Sequence, residues 1–299
     1  MTAQVATGRR PVVVGADGSD SALEAVRWAA VEARRRETGL RVVTAFGWAP
    51  DHHHSGRTER YRHELLERTR RHVLAGATRV AERTVDGVPI SAELVIGFPV
   101  RALHERSRDA QLLVLGSRGL GGLSGLLVGS VAVAMVAGAD CPVVVVRGED
   151  RDASSPEPVV VGVDGTPMSE AALGFAFAAA AARRVPLVAV HTFGDLVLDP
   201  QVAALIDWEA LAEDARAVLA DRLRPWTEKF ADVEVRRVVV RGPAGRVLVQ
   251  ESAKAQLVVV GSRGRGNLAG LVLGSVSHAV LHRSHCPVAV VRPDAVPES

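Results

Sequence analysis

Two duplicated doubly wound α/β domains, each a five-stranded parallel sheet with helices on both faces, are what this sequence predicts. Three observations carry that expectation. Short aliphatic runs alternate with segments of helical periodicity, the alternation occurs twice, and the two passages stay nearly in register. VVVGADGS at 12–19 returns as VVVGVDGT at 159–166, 147 residues on. GSRG at 116 and Cys141-Pro142 return at 261 and 286, each 145 residues on. A period this long exceeds any solenoid unit and reads as a duplicated domain. The expected boundaries are 1–147, a polar linker at 148–157, and 158–299.

In the first half the runs PVVVGA, LRVVTAF, VPISAELVI, AQLLVLG and CPVVVVR are rich in β-branched residues and bounded by turn formers. PVVVGV, PLVAVHTF, VEVRRVVVR, AQLVVVG and CPVAVVR occupy the same places in the second. Runs that are apolar throughout, without alternation, fit parallel strands buried on both faces. Between the first two, Ala22, Leu23, Val26, Ala29, Ala30 and Ala33 recur at helical spacing. Ser21 with Glu24 makes a capping box for that helix. In the second half Thr166 is the expected cap, with Pro167 at the first helical position.

Composition removes several function classes. The 299 residues carry 36 basic and 34 acidic side chains, so the formal charge of +2 creates no broad field for nucleic acid or an anionic membrane. Aromatics at 4% are too sparse for a base-stacking platform. Arg9-Arg10 has the look of an export signal, but the apolar run behind it ends at VVVGA, and no stretch reaches ~18 uninterrupted apolar residues. The expected location is the cytoplasm. Cys141 and Cys286, each followed by Pro and a valine-rich run, read as equivalent buried positions and not as a disulfide pair.

The chemistry lies in LVLGSRGLGGLSGLLVGS at 113–130 and VVVGSRGRGNLAGLVLGS at 258–275. Each follows the fourth strand of its half, at the end of a parallel sheet where ligands bind, and Gly-Ser opens the next helix. Unpaired amides at a helix N-terminus suit an anion, and glycines let the main chain approach it. Neither copy has the lysine of a P-loop, and the first strand lacks GxGxxG. ADGSDS lacks the paired glycines of the pyrophosphatase SGGxDS loop.

The spacing G-x2-G-x9-G-S is met by Gly116, Gly119, Gly129 and Ser130, and again by Gly261, Gly264, Gly274 and Ser275. With GxDGS/T after the first strand and Cys-Pro before the last, the chain resembles the universal stress protein family in its tandem, ATP-binding form, over residues 9–147 and 157–292. The resemblance implies an adenine nucleotide α-hydrolase-like fold and one ATP site per half. Asp17 and Asp164, with the backbone at Gly15 and Gly162, would meet the nucleoside, and Ala45 and Thr192 would offer main-chain bonds to adenine. Gly116, Ser117, Arg118, Gly119, Leu120, Gly121 and Gly122 would line the ribose and inner phosphate, as would Gly261, Ser262, Arg263, Gly264, Arg265, Gly266 and Asn267. Gly129, Ser130 and Val131, and Gly274, Ser275, Val276 and Ser277, would take the outer phosphates. Asp195 is a ribose candidate in the second half only. Mg²⁺ can accompany the phosphates without dedicated protein ligands.

Histidines are the competing signal. His52, His53 and His54 are adjacent and splay apart, while His278 and His282 share a helix face without the Glu of a HExxH motif, so no metal site is expected. Apart from Asp17 and Asp164, no repeated carboxylate stands near the loop, which favours a binding module read by a protein partner over an enzyme. The alternative is a slow ATPase, or an autophosphorylating phosphotransferase modified at Ser130 or Ser275. The family resemblance also implies that the halves pair as an intramolecular pseudo-dimer, with homodimers of whole chains as a further expectation.

Overall fold

A computed structural model describes residues 9–47, 56–119, 128–147, 156–166, 169–194, 205–264 and 273–293. The chain divides into two compact units, one running to Val146 and the other starting at Arg147.

The first unit contains β1 (Val12–Gly15), α1 (Asp20–Arg35), β2 (Leu40–Phe46), α2 (Gly56–Thr69), α3 (Ala75–Thr84), β3 (Ile90–Ile96), α4 (Pro99–Ser107), β4 (Leu112–Gly116), α5 (Ser130–Gly138) and β5 (Val143–Val146). Its strands are parallel in the order β3-β2-β1-β4-β5. The chain builds outward from β1 to β3, then returns to the other side of β1, so strand order reverses between β1 and β4. At that reversal the helices leaving the two strands diverge and open a crevice.

The second unit repeats the plan with β6 (Val159–Gly162), α6 (Glu170–Arg183), β7 (Leu187–Phe193), α7 (Trp208–Lys229), β8 (Val235–Arg241), α8 (Ala244–Glu251), β9 (Leu257–Gly261), α9 (Ser275–Arg283) and β10 (Val288–Val291). Its strand order is β8-β7-β6-β9-β10, again all parallel. All ten strands fall on the aliphatic runs of the sequence. In each unit two helices pack together on either side of the sheet: α1 with α3 and α4 with α5, then α6 with α7 and α8 with α9.

Burial explains the unbroken apolar strands. Val12, Val13, Val14, Leu112, Leu113 and Val114 have essentially no exposed surface, because helices cover both faces of the central strands. The helix α1 buries its small residues Ala25, Ala29, Ala30 and Ala33 against β1 and β4. A side chain of Leu size is worth ~1.5–3 kcal/mol when fully buried, so these aliphatic layers dominate the favourable free energy. Aromatics contribute mainly in the second unit, where Phe177 stacks on Trp226 at 6.1 Å and on Phe230 at 5.7 Å. Cys141 and Cys286 are buried and free. Burial, then the neighbouring Asp140 carboxylate, pushes the Cys141 thiol up to about 12.

Two helix starts differ from the sequence expectation. The cap of α1 is Ser19, whose Oγ accepts from Ala22 N–H at 3.2 Å, and not Ser21. The helix α6 begins at Glu170 after Ser169, while the Thr166 hydroxyl donates to Asp164 Oδ1 at 2.7 Å. Both differences have one cause: Asp17 and Asp164 fold the preceding residues into a tight turn, which sets where each helix begins. The proposed Pro167 at the first helical position lies outside the described residues, as do His52, His53, His54 and most of the linker. Among the described residues no helix is long and apolar enough to cross a membrane.

Two measurements test this packing. A Cβ at Gly174 would lie 2.6 Å from Trp226 Cη2, so Gly174→Val should lower stability by about 1–3 kcal/mol in urea titration, the usual cost of overpacking. Native protein at pH 8 should leave Ellman's reagent unreacted, because the Cys141 thiolate forms only far above that pH and Cys286 is fully buried. Both thiols should react once the chain is unfolded.

Candidate functional site

At the carboxyl end of β1 the chain turns through Asp17-Gly18-Ser19. Asp17 Oδ1 accepts from the Ser19 amide at 3.0 Å and from the Ser19 hydroxyl at 2.6 Å. Gly18 takes φ +90°, a conformation costly for residues with a Cβ. The turn rests on Val73, which lies in a five-residue π turn, Arg70–Leu74, between α2 and α3.

The segment after β4 passes close over this turn. A Cβ on Gly119 would collide with Asp17 Oδ2, and one on Gly116 would sit 2.6 Å from the Ser21 backbone oxygen. Only glycine permits these approaches. Ser21, read from sequence as a cap, instead accepts the Arg118 amide at 3.3 Å and lies 3.4 Å from the Ser117 hydroxyl, which fastens the β4 exit to α1.

Opposite these turns stands the N-terminus of α5. Gly129 is its extended N-cap residue, with φ −71° and ψ 151°, and has no side chain to satisfy the first-turn amides. Ser130, Val131 and Ala132 therefore present N–H groups that no intrahelical carbonyl fills, at the positive end of the helix dipole. Ser117 O holds the cap in place by accepting from Gly129 N–H at 2.8 Å.

Together these elements enclose a cavity of about 500 Å³, within the usual range for a small-molecule site. Its floor is Val43 and Ala45 of β2, its apolar wall is Pro99 and Leu103 of α4 with Leu115 of β4, and its polar rim is Asp17, Arg118 and the α5 terminus. Gly15, Ala45, Gly116, Gly119, Gly129 and Val131 all line it, with Ser130. Leu120, Gly121 and Gly122 lie outside the described residues. Sequence reasoning missed Ala16, Ala22, Val43, Pro99, Leu103, Leu115 and Ala132 as lining residues.

The second unit builds the corresponding turn. Asp164 Oδ1 accepts from the Thr166 amide at 2.8 Å and its hydroxyl at 2.7 Å, and a Cβ on Gly264 would come within 3.1 Å of Asp164 Oδ2. Gly274 is the extended, uncapped N-cap residue of α9, held by Ser262 O at 3.0 Å. Gly162, Gly261, Ser262, Arg263, Gly264, Ser275 and Val276 thus occupy places equivalent to the first-unit set, and Thr192 is the last residue but one of β7, as Ala45 is of β2. Ser277 is turned inward: it is buried, and its hydroxyl donates to Gly274 O at 2.9 Å, with Ser262 O at 3.3 Å. Arg265, Gly266, Asn267 and Asp195 lie outside the described residues.

Away from the crevice, His278 and His282 stack at 4.4 Å on α9. Burial, and then the adjoining His278, Arg147 and Arg283, hold the His282 imidazole below its usual range. Among the described residues no group of three or more His, Cys, Asp or Glu is placed to hold a metal ion.

Fold and site define a duplicated α/β protein in which each unit sets an aspartate turn against an uncapped helix N-terminus where its strand order reverses. A model of the "Universal stress protein family" matches residues 8–147 and 156–292. A universal stress protein of Mycobacterium tuberculosis is 41% identical over 293 residues, covering 94% of this chain and 96% of the relative. Another, from Mycolicibacterium smegmatis, is 38% identical over 286 residues and covers 94% and 97%. The crystal structure of a universal stress protein from Archaeoglobus fulgidus superposes with a TM-score of 0.69 at 20% identity, covering 95% of this chain and 98% of that one. The chain belongs to the universal stress protein family.

The close approach at Gly116 is open to a direct test. Gly116→Ala should cost about 1–3 kcal/mol, because the Ser21 backbone cannot move aside. Gly129→Ser, where the nearest atoms stand 3.7 Å or more away, should stay within about 1 kcal/mol of the parent in the same urea titration.

Proposed function

We propose that each unit binds one adenine nucleotide, ATP, and that the chain acts in the cytoplasm as a nucleotide-dependent stress-response module and not as an enzyme. The observation that carries this reading is the convergence of three features in one crevice: an aspartate turn, a glycine segment lying against it, and an uncapped helix terminus. The first can accept hydrogen bonds from sugar or base, the second admits a bulky ligand close to the main chain, and the third complements phosphate charge. Adenine is the base that the family resemblance implies, and the apolar Val43, Pro99, Leu103 and Leu115 offer a surface for a flat ring.

The same convergence recurs in the second unit, which supports two sites per chain. Any Mg²⁺ would be held chiefly by phosphate oxygens and water, with Ser130 and Ser275 the nearest hydroxyls at the helix termini. Hydrolysis would need a base placed against the attacking water, and the two aspartates are already engaged in their turns. A protein partner that distinguishes filled from empty crevices would be the reader of this module.

Isothermal titration of the full chain with ATP should give two equivalents. Asp17→Ala and Asp164→Ala should each weaken one equivalent by ~1.5–3 kcal/mol, the worth of a charge-assisted hydrogen bond, or roughly 10- to 150-fold. No binding heat from the parent would overturn the reading. Phosphate release abolished by the double substitution would place the chain among slow ATPases instead, and label retained on Ser130 or Ser275 among phosphotransferases.

A further inference from the structure

The two aspartate turns have the same hydrogen bonds but different supports. In the first unit Gly18 rests on the apolar Val73. In the second, Arg222 of α7 reaches across and donates its Nε–H to Gly165 O at 3.1 Å. Its Nη1 lies 3.4 Å from Glu170 Oε1, and the other oxygen of Glu170 accepts from Trp226 Nε1 at 2.9 Å. A continuous polar chain therefore runs from α7 through the start of α6 to the turn that carries Asp164. Gly165 sits at φ +78°, so its peptide orientation is one that a donor on the carbonyl can fix.

We propose that Arg222 is a positioning residue for the second nucleotide site: it fixes the Gly165 peptide, and through it the direction of the Asp164 carboxylate toward Gly264. The inference rests on the nucleotide reading above and goes beyond it in making the second site depend on a guanidinium relay, where the first turn rests on Val73. The planar fork matters here, because Nε and Nη1 serve two acceptors at once and a lysine ammonium on its flexible stem cannot hold both in that geometry. Glu170 and Arg222 are only partly exposed, at 39% and 33%, which limits competition from water without removing it. Arg222 acts through the Gly165 carbonyl. Its effect is on where Asp164 points.

The test uses the full chain carrying Asp17→Ala, so that ATP titration reads the second site. Arg222→Met should weaken that site ~10-fold, on the order of one charge-assisted hydrogen bond, and Arg222→Lys should recover part of the loss. In the complementary Asp164→Ala background, Arg222→Met should leave the first site unchanged. Without any nucleotide, hydrogen exchange at the Thr166 amide, bonded to Asp164 Oδ1 at 2.8 Å, should quicken in Arg222→Met while the β6 amides keep their protection. Unchanged affinity together with unchanged Thr166 exchange would overturn the proposal, as would a loss of protection spread across the whole unit. If the Asp17→Ala parent itself takes up no ATP, the nucleotide reading fails, and Thr166 exchange still decides whether Arg222 holds the turn.

Discussion

The site depends on a contact with no room in it: a carboxylate oxygen of Asp17 lying where a Cβ of Gly119 would be. The aspartate closes its turn by accepting from Ser19, and that bonding holds the carboxylate in one direction. The glycine segment can then lie over the turn, which brings the end of β4 beside the end of β1. Because strand order reverses between those strands, this is also where the flanking helices diverge. Local turn chemistry and sheet topology thus meet at one place, and the crevice follows from both.

The same constraint explains the polarity of the crevice. Its walls are aliphatic because β2, β4 and α4 belong to the core. Its rim is polar because strand ends and helix starts leave backbone groups without regular partners. The first helix of the first unit and the helices that begin at Gly129 and Gly274 are finished differently. Ser19 caps α1 with its own hydroxyl, whereas α5 and α9 begin at glycines that cap nothing. A helix whose first-turn amides are left to an external partner is suited to an anion.

Much of this was legible in the sequence, for identifiable reasons. Each of the ten strands is a short, unbroken aliphatic run bounded by turn residues, so both sheets could be read directly. The duplicated glycine spacing marked Gly116, Gly119 and Gly129 as a set because a coincidence would have to occur twice in register. The helix starts were harder: Ser19 and Ser21 are two residues apart, and a capping box favours the wrong one unless the Asp17 turn is known. Pro99 and Leu103 carry no polar signature that separates a cavity wall from ordinary core. Ser277 looked like a donor by its place near the helix start, yet its hydroxyl is spent on Gly274 O. Arg222 lies 58 positions from Asp164 in the chain, and no motif links them. The hydroxyl two residues after each aspartate, Ser19 and Thr166, was the available signal for the turn.

The central claim is that each unit holds one nucleotide in its own crevice. Native mass spectrometry of the intact chain, purified without added nucleotide and then titrated with ATP, tests it most directly. The account predicts two successive mass increments of one nucleotide each. A single mass state that stays unchanged through the titration would contradict it.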